Sequence, residues 1–272
     1  MSGRKIKEFE EYLVDGGTSH IDLADYLHSP ASAFLKYTIE AKSAVDLCTR
    51  HFPKKADGSY SKASLDSLEH IVSAMLPALM GHFETYQRYL FAGLFDYSIF
   101  IGGFDVSAFL KRLSKETNIE IDLSRLAAHR GIGAKSIGVL LADSMTGWHD
   151  PARVNSYFDA FGIKRQFFSN KDCKRLAVLW QLRHSISHTG GTLTLADAQK
   201  VEALKAKGNA NIVFEKNFVF EVARKLHPLV QEATHRLRDG VLPRLIPETP
   251  EEEKMRIEEF FKVHSSVAVW LA

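Results

Sequence analysis

Leu176-Ala177-Val178-Leu179-Trp180-Gln181-Leu182-Arg183-His184-Ser185-Ile186-Ser187-His188-Thr189-Gly190-Gly191 is the stretch that decides how this chain folds. At 100° per residue, Leu176, Leu179, Leu182 and Ile186 fall within one sector, His184, Ser187 and His188 lie beyond its edge, and Arg183 sits just inside that edge beside Leu176. The pattern predicts a helix over 171–188 with an apolar stripe and a compact polar face. Gly190-Gly191 ends it, because glycine takes the backbone conformation in which helices stop. His188 then sits in the last turn, where unpaired carbonyls carry partial negative charge and favour the imidazolium. Arg183 places a permanent cation five residues before that titratable group.

Spacing alone is weak evidence for a site. With 15 arginines and 12 histidines in 272 residues, about two chance pairs five to seven residues apart are expected, and one occurs. The weight lies in the context: an apolar anchor, a polar face and a glycine stop. The plain alternative is that Arg183 pairs with a surface carboxylate and His188 is a solvated helix cap.

Outward from this helix, periodicities of three and four residues dominate, and the chain is expected to be all-α. Pro30-Ala31 opens a helix to about Cys48, and the stretch 51–62, with Pro53 and Gly58, reads as an exposed loop. Leu65, Leu68, Val72, Leu79, Phe83, Tyr86, Leu90 and Leu94 mark one buried face of a long helix over 63–97. Gly102-Gly103 stops it, and Asp105 or Ser107 can cap the next helix. Gly131-Ile132-Gly133 separates 121–129 from a helix near 136–146. Asp150-Pro151 starts a short helix ended by Phe161-Gly162. Thr194 is expected to cap a helix ending near Lys207-Gly208, 212–214 to be extended, and 217–239 to form a long helix. Pro243, Pro247 and Pro250 read as a linker before an acidic helix over 251–262.

Composition sets bounds. A charged fraction of 25% and a hydrophobic fraction of 45% are ordinary for a globular chain. The net charge of +2 does not decide for or against a nucleic-acid partner, since a basic patch can sit within a neutral total. Two distant cysteines, Cys48 and Cys173, form no disulfide framework and suit a reducing compartment. No apolar run reaches the roughly 18 residues of a membrane span, and the start lacks an apolar signal core. The expectation is a cytoplasmic protein with no membrane partner.

The segment Arg183, His184 and His188 near a helix end, with glycines just beyond, resembles the motif of the HEPN domain, an all-helical module of prokaryotic defence proteins and some ribonucleases. Phe161-Gly162-Ile163 after a short helix, His82-Phe83-Glu84-Thr85-Tyr86 on a long apolar helix, and a closing helix over 217–238 extend the resemblance from about 63 to 238. It implies a HEPN-like helical bundle over 61–240, with a helical N-terminal extension over 1–60 and a linker and acidic helix over 241–272. It also implies a two-fold homodimer with a shared site, an RNA substrate and no cofactor or metal. In that scheme the 2′-hydroxyl of RNA attacks its own phosphate and leaves a 2′,3′-cyclic phosphate. His188 is the general acid/base, and Arg183 stabilises the extra negative charge on the phosphate. His184 and Ser187 support them. Glu84, a carboxylate on an apolar helix, is a candidate orienter of Arg183; the local alternative is a pair with Arg88 one turn on. A toxin or antiviral effector, with a possible antitoxin or defence-system partner, is the expected setting. The competing expectation is a non-catalytic module of the same fold that binds nucleotide, RNA or protein.

Other signals are weaker. His184 and His188 have the four-residue spacing of a zinc pair, but no third ligand stands nearby. Gly131-Ile132-Gly133-Ala134-Lys135-Ser136 lacks the spacing and preceding strand of a phosphate loop. No serine sits in a glycine elbow, which argues against a serine hydrolase.

Overall fold

The computed structural model describes residues 21–117, 119 and 136–264. The stretch 121–129 and the glycines Gly131 and Gly133 that follow it lie outside them. The described residues are mostly helical, which makes the class all-α. The helices are α1 (Leu23–His28), α2 (Pro30–His51), α3 (Lys62–Tyr97), α4 (Val106–Glu116), α5 (Ile137–Ser144), α6 (Pro151–Asp159), α7 (Asn170–His188), α8 (Leu195–Gln199), α9 (Phe218–Val241) and α10 (Glu251–Phe260). A two-stranded antiparallel ladder, β1 (Thr192–Leu193) and β2 (Ala210–Asn211), pairs Thr192 with Asn211 and Leu193 with Ala210. None of the described helices is long and apolar enough to cross a membrane.

The central element is α3. Its 36 residues make a rod of roughly 54 Å at 1.5 Å per residue. The Ser61 hydroxyl accepts the Ser64 N–H at 3.1 Å and starts it. Leu68, Val72, Leu76, Leu79, Phe83, Tyr86 and Leu90 are buried at the spacing of one helix face. From Tyr89 to Leu94 every side is covered, so this half of the rod is the middle of the core. Phe34 of α2 meets Phe83 edge-on with ring centroids 5.4 Å apart. The Tyr86 hydroxyl is 2.9 Å from the Thr234 hydroxyl of α9, which satisfies two polar groups that burial would otherwise penalise. Phe91 contacts Trp148, Phe158 and Phe161 edge-on, a geometry aromatic quadrupoles favour.

One close approach depends on glycine. A Cβ on Gly138 would lie 2.0 Å from the Ala92 carbonyl oxygen, so only glycine lets α5 press its backbone onto α3. The Gly138 N–H donates to the Asp96 carboxylate at 2.9 Å and fixes that contact.

Three segments differ from expectation. The helix capped by Thr194 stops at Gln199, because Val201 is extended (φ −128°, ψ 117°), and a separate 3₁₀ turn follows over Glu202–Lys207. The extended piece falls at Ala210–Asn211 rather than over 212–214, paired with the chain that leaves α7. The proline-rich stretch after α9 is tied down: Gly102 N–H donates to Arg244 O at 2.7 Å, and Ile246 N–H to Phe100 O at 2.9 Å. Pro243 sits in a 3₁₀ turn, Leu242–Arg244, and the stretch runs along the turn that follows α3. It then delivers Phe260 of α10 into the core beside Gly93. Tyr26, Phe34 and Phe260 all belong to the same buried cluster as the centre of α3.

Candidate functional site

Helix α7 begins where Ser169 accepts the Asp172 N–H at 3.2 Å. Its first half is held by Leu176 and Trp180, both buried, with Trp180 near Phe83 of α3. The expected leucine stripe is only partly the buried face. Leu179, Leu182 and Ile186 are half-buried, while Gln181 and Ser185 are buried in the second half. The Gln181 amide donates to the Ser185 hydroxyl at 3.4 Å, a polar pair covered on both sides. The buried sector therefore turns along the helix, as its neighbours change from α3 to the β1–α8 segment.

The turn of the buried sector leaves the expected polar face open. His184, Ser187 and His188 are exposed. The two imidazole rings sit one above the other with centroids 4.8 Å apart and planes 42° apart, the meeting of residues four apart on a helix. Arg183 is half-buried, and its Nε is buried with no hydrogen-bond partner. A buried donor left unmatched costs about 1–3 kcal/mol, and the Nε of Arg88, whose other guanidinium nitrogens bond Glu84 and Asp143, is unmatched in the same way.

The end of the helix is built as the glycines foretold. The Thr189 N–H and hydroxyl both donate to the Ser185 carbonyl, at 3.0 and 2.8 Å, and the Gly191 N–H donates to it at 3.1 Å. Gly190 (φ +62°) and Gly191 (φ +81°) then take the chain sharply away. His188 is left at an open corner.

Glu84 lies elsewhere in the bonding scheme. Its carboxylate accepts from Arg88 at 2.6 Å, and Arg88 also reaches Asp143 at 3.4 Å. It is therefore the local partner of Arg88 and makes no hydrogen bond or ion pair to Arg183 among the described residues. Asp197 of α8, not singled out from sequence, does couple to the site. The Lys200 ammonium at 2.7 Å, then the Thr194 hydroxyl, hold its carboxyl below the usual range, and the charge on His184 adds to this. Thr194 and Asp197 carry the serine/threonine-to-acid spacing of a capping box, so the cap was legible; the proximity of His184 was not, because a tertiary turn creates it.

Arg183 and His188 are about 140° apart around one helix axis and do not converge within one chain. Among the described residues no group of three histidines, cysteines or carboxylates is arranged to hold a metal ion. What one chain presents is a pair of open imidazoles and a guanidinium with an unmatched donor, at a helix end where the backbone turns out of the way. Comparison with protein families, with curated proteins and with solved structures finds no match to this chain.

Proposed function

We propose that this protein is a metal-independent endoribonuclease of the HEPN type, with Arg183 and His188 as its catalytic residues. The observation that carries the reading is the open last turn of α7. There His184 and His188 are exposed side by side, and Arg183 keeps a buried Nε without a partner. An exposed imidazole can exchange protons with substrate, and a guanidinium can clasp phosphate oxygens through two parallel N–H bonds.

Two copies of α7 meeting across a two-fold axis would bring two of each residue to one phosphate. One imidazole accepts the proton of the 2′-hydroxyl as that oxygen bonds to phosphorus. The other gives a proton to the departing 5′-oxygen, so the products are a 2′,3′-cyclic phosphate and a free 5′-hydroxyl. The guanidinium groups hold the non-bridging oxygens, where charge grows in the transition state. The nucleophile belongs to the substrate, so DNA is not cut. The resemblance also supports a role against cellular RNA, as a toxin or defence effector.

Replacing Arg183 by Ala is expected to lower the single-turnover rate by about 10²–10³, and replacing His188 by Ala by about 10²–10⁴. Both should leave the thermal midpoint near that of the parent. Cleavage of bulk RNA in excess chelator measures this; undiminished cutting by both variants refutes the assignment.

The divergence of Arg183 and His188 on a single helix favours a second reading, a non-catalytic module that binds nucleotide, RNA or protein. Purified protein that yields no cyclic-phosphate ends from RNA under any condition would select it.

A further inference from the structure

A second basic site lies where the C-terminal turn of α2 faces the N-terminal turn of α9. These elements enclose a cavity of about 320 Å³. Its lining includes Arg50, Lys54 and Lys216 and one carboxylate, Asp46, which is already bonded to Lys42. Among the described residues no carboxylate pairs with Arg50, Lys54 or Lys216; the Arg50 side chain reaches only a backbone carbonyl, that of Asp46 at 3.4 Å.

The cations are gathered rather than scattered. The Lys54 and Lys216 ammonium groups lie 5.2 and 5.7 Å from the centroid of one ring, Tyr60. The Tyr60 hydroxyl donates to the Thr49 carbonyl at the end of α2, which fixes the ring. Bringing unneutralised like charges together is unfavourable, and a cation–π contact at an exposed site returns only a little. A ligand with negative charge removes the repulsion.

The backbone points the same way. Helix α9 has 24 residues, and its first residue-cap, Asn217, makes no side-chain bond to the helix N–H groups. Asn217, Val219 and Phe220 line the cavity, so the uncapped first turn of α9 borders it, with the one acidic residue of that turn, Glu221, paired to Arg224. A concave cleft does not fit a planar bilayer, but a strand can lie in it.

The cleft is also within reach of the helix end at His188. The Ile212 N–H donates to the Gly191 carbonyl at 2.7 Å, and the chain from Ile212 to Lys216 spans at most about 14 Å. We infer that this cleft binds the phosphodiester backbone of single-stranded RNA, on Arg50, Lys54, Lys216 and the first turn of α9, and anchors the strand whose neighbouring part meets α7. The choice of RNA among polyanions rests on the ribonuclease reading; the cation cluster and the open helix terminus stand without it.

The test is fluorescence anisotropy of a labelled 2′-O-methyl RNA oligonucleotide, which lacks the attacking hydroxyl and so reports binding alone. The full chain is compared with a Lys54→Gln/Lys216→Gln double variant. Loss of two phosphate contacts should weaken binding about twentyfold at 0.1 M salt and lower the salt slope by about 1.4. Both lysines are exposed, and an unchanged melting midpoint verifies the fold. Equal affinity and slope for parent and double variant overturn the inference. So does a parent chain that ignores the oligonucleotide but binds vesicles containing phosphatidylserine through these lysines. A His188→Ala chain, assayed for cleavage alone, tests the α7 site separately. If that variant still cleaves ordinary RNA, the catalytic assignment falls while the cleft stands on its own measurement.

Discussion

His188 was placed in the last turn by the glycines beyond it and lies there exposed, whereas Arg183, at the edge of the apolar sector, is half-buried. That part of the site was legible because it depends on contacts within one element. Glu84 was legible only as an alternative: the local pair with Arg88 is the one formed, since a residue one turn away is always within reach. Asp197 could not be tied to His184 from sequence, because the turn at Gly190-Gly191 between α7 and α8 brings them together. A different histidine gives a prediction that does not depend on the catalytic reading. His82 stacks on Tyr37 with centroids 3.5 Å apart, and its Nδ1 lies 2.9 Å from the Tyr26 hydroxyl. Burial pushes its pKa down, against a smaller opposing pull from Glu40, and His227 and His235 are pushed the same way by burial. With the folded pKa below the unfolded value of about 6.5, the unfolded chain takes up more protons as the pH falls. The stability these neutral rings confer is therefore present above about 6.5 and is lost below it. The thermal midpoint should drop between pH 7.5 and 5.5, and His82→Gln should shrink the drop; a midpoint that rises on acidification would contradict the half-buried, neutral ring.

At the scale of elements, the long helices were readable because each buries one stripe for most of its length, and that leaves a regular period in the sequence. What was not readable was the turning of the buried sector along α7, where Gln181 and Ser185 are covered and Leu179 and Leu182 are only half-covered. Burial there is set by which neighbour passes, not by hydrophobicity. The break between α8 and the 3₁₀ turn was hidden for a similar reason: 195–207 contains no strong breaker, and the extended Val201 answers to packing around it. Two glycines test the packing at this scale. Alanine at Gly138 must displace the Ala92 carbonyl or the whole of α5, and should cost about 1–3 kcal/mol in denaturant unfolding. Alanine at Gly81, within α3 and with nothing within 4 Å of the new methyl, should instead stabilise by about 0.8–1 kcal/mol through helix propensity. Equal effects at the two positions would mean that the α3–α5 contact is not as close as the backbone shows.

At the scale of the whole molecule, one buried cluster around the second half of α3 joins residues of every helix named above except α8, whose Ala198 packs in a smaller cluster with Leu193 and Leu204. Helix α7 lies against that support along its first half and carries its polar end out to solvent. A rigid helix with an open last turn can bring catalytic groups to a second copy without reorganising its own core, and preorganisation of that kind is what electrostatic stabilisation of a transition state needs. The basic cleft beyond the β1–β2 hairpin would give the same strand a second hold. The account rests on RNA phosphate chemistry at the end of α7, and the most direct measurement is the chemistry of the cut ends. RNA incubated with the purified full chain in excess chelator should carry 2′,3′-cyclic phosphates and 5′-hydroxyls, and a DNA strand of the same sequence should remain whole. Ends bearing 5′-phosphates, or cutting that begins only when a divalent metal is restored, would contradict it.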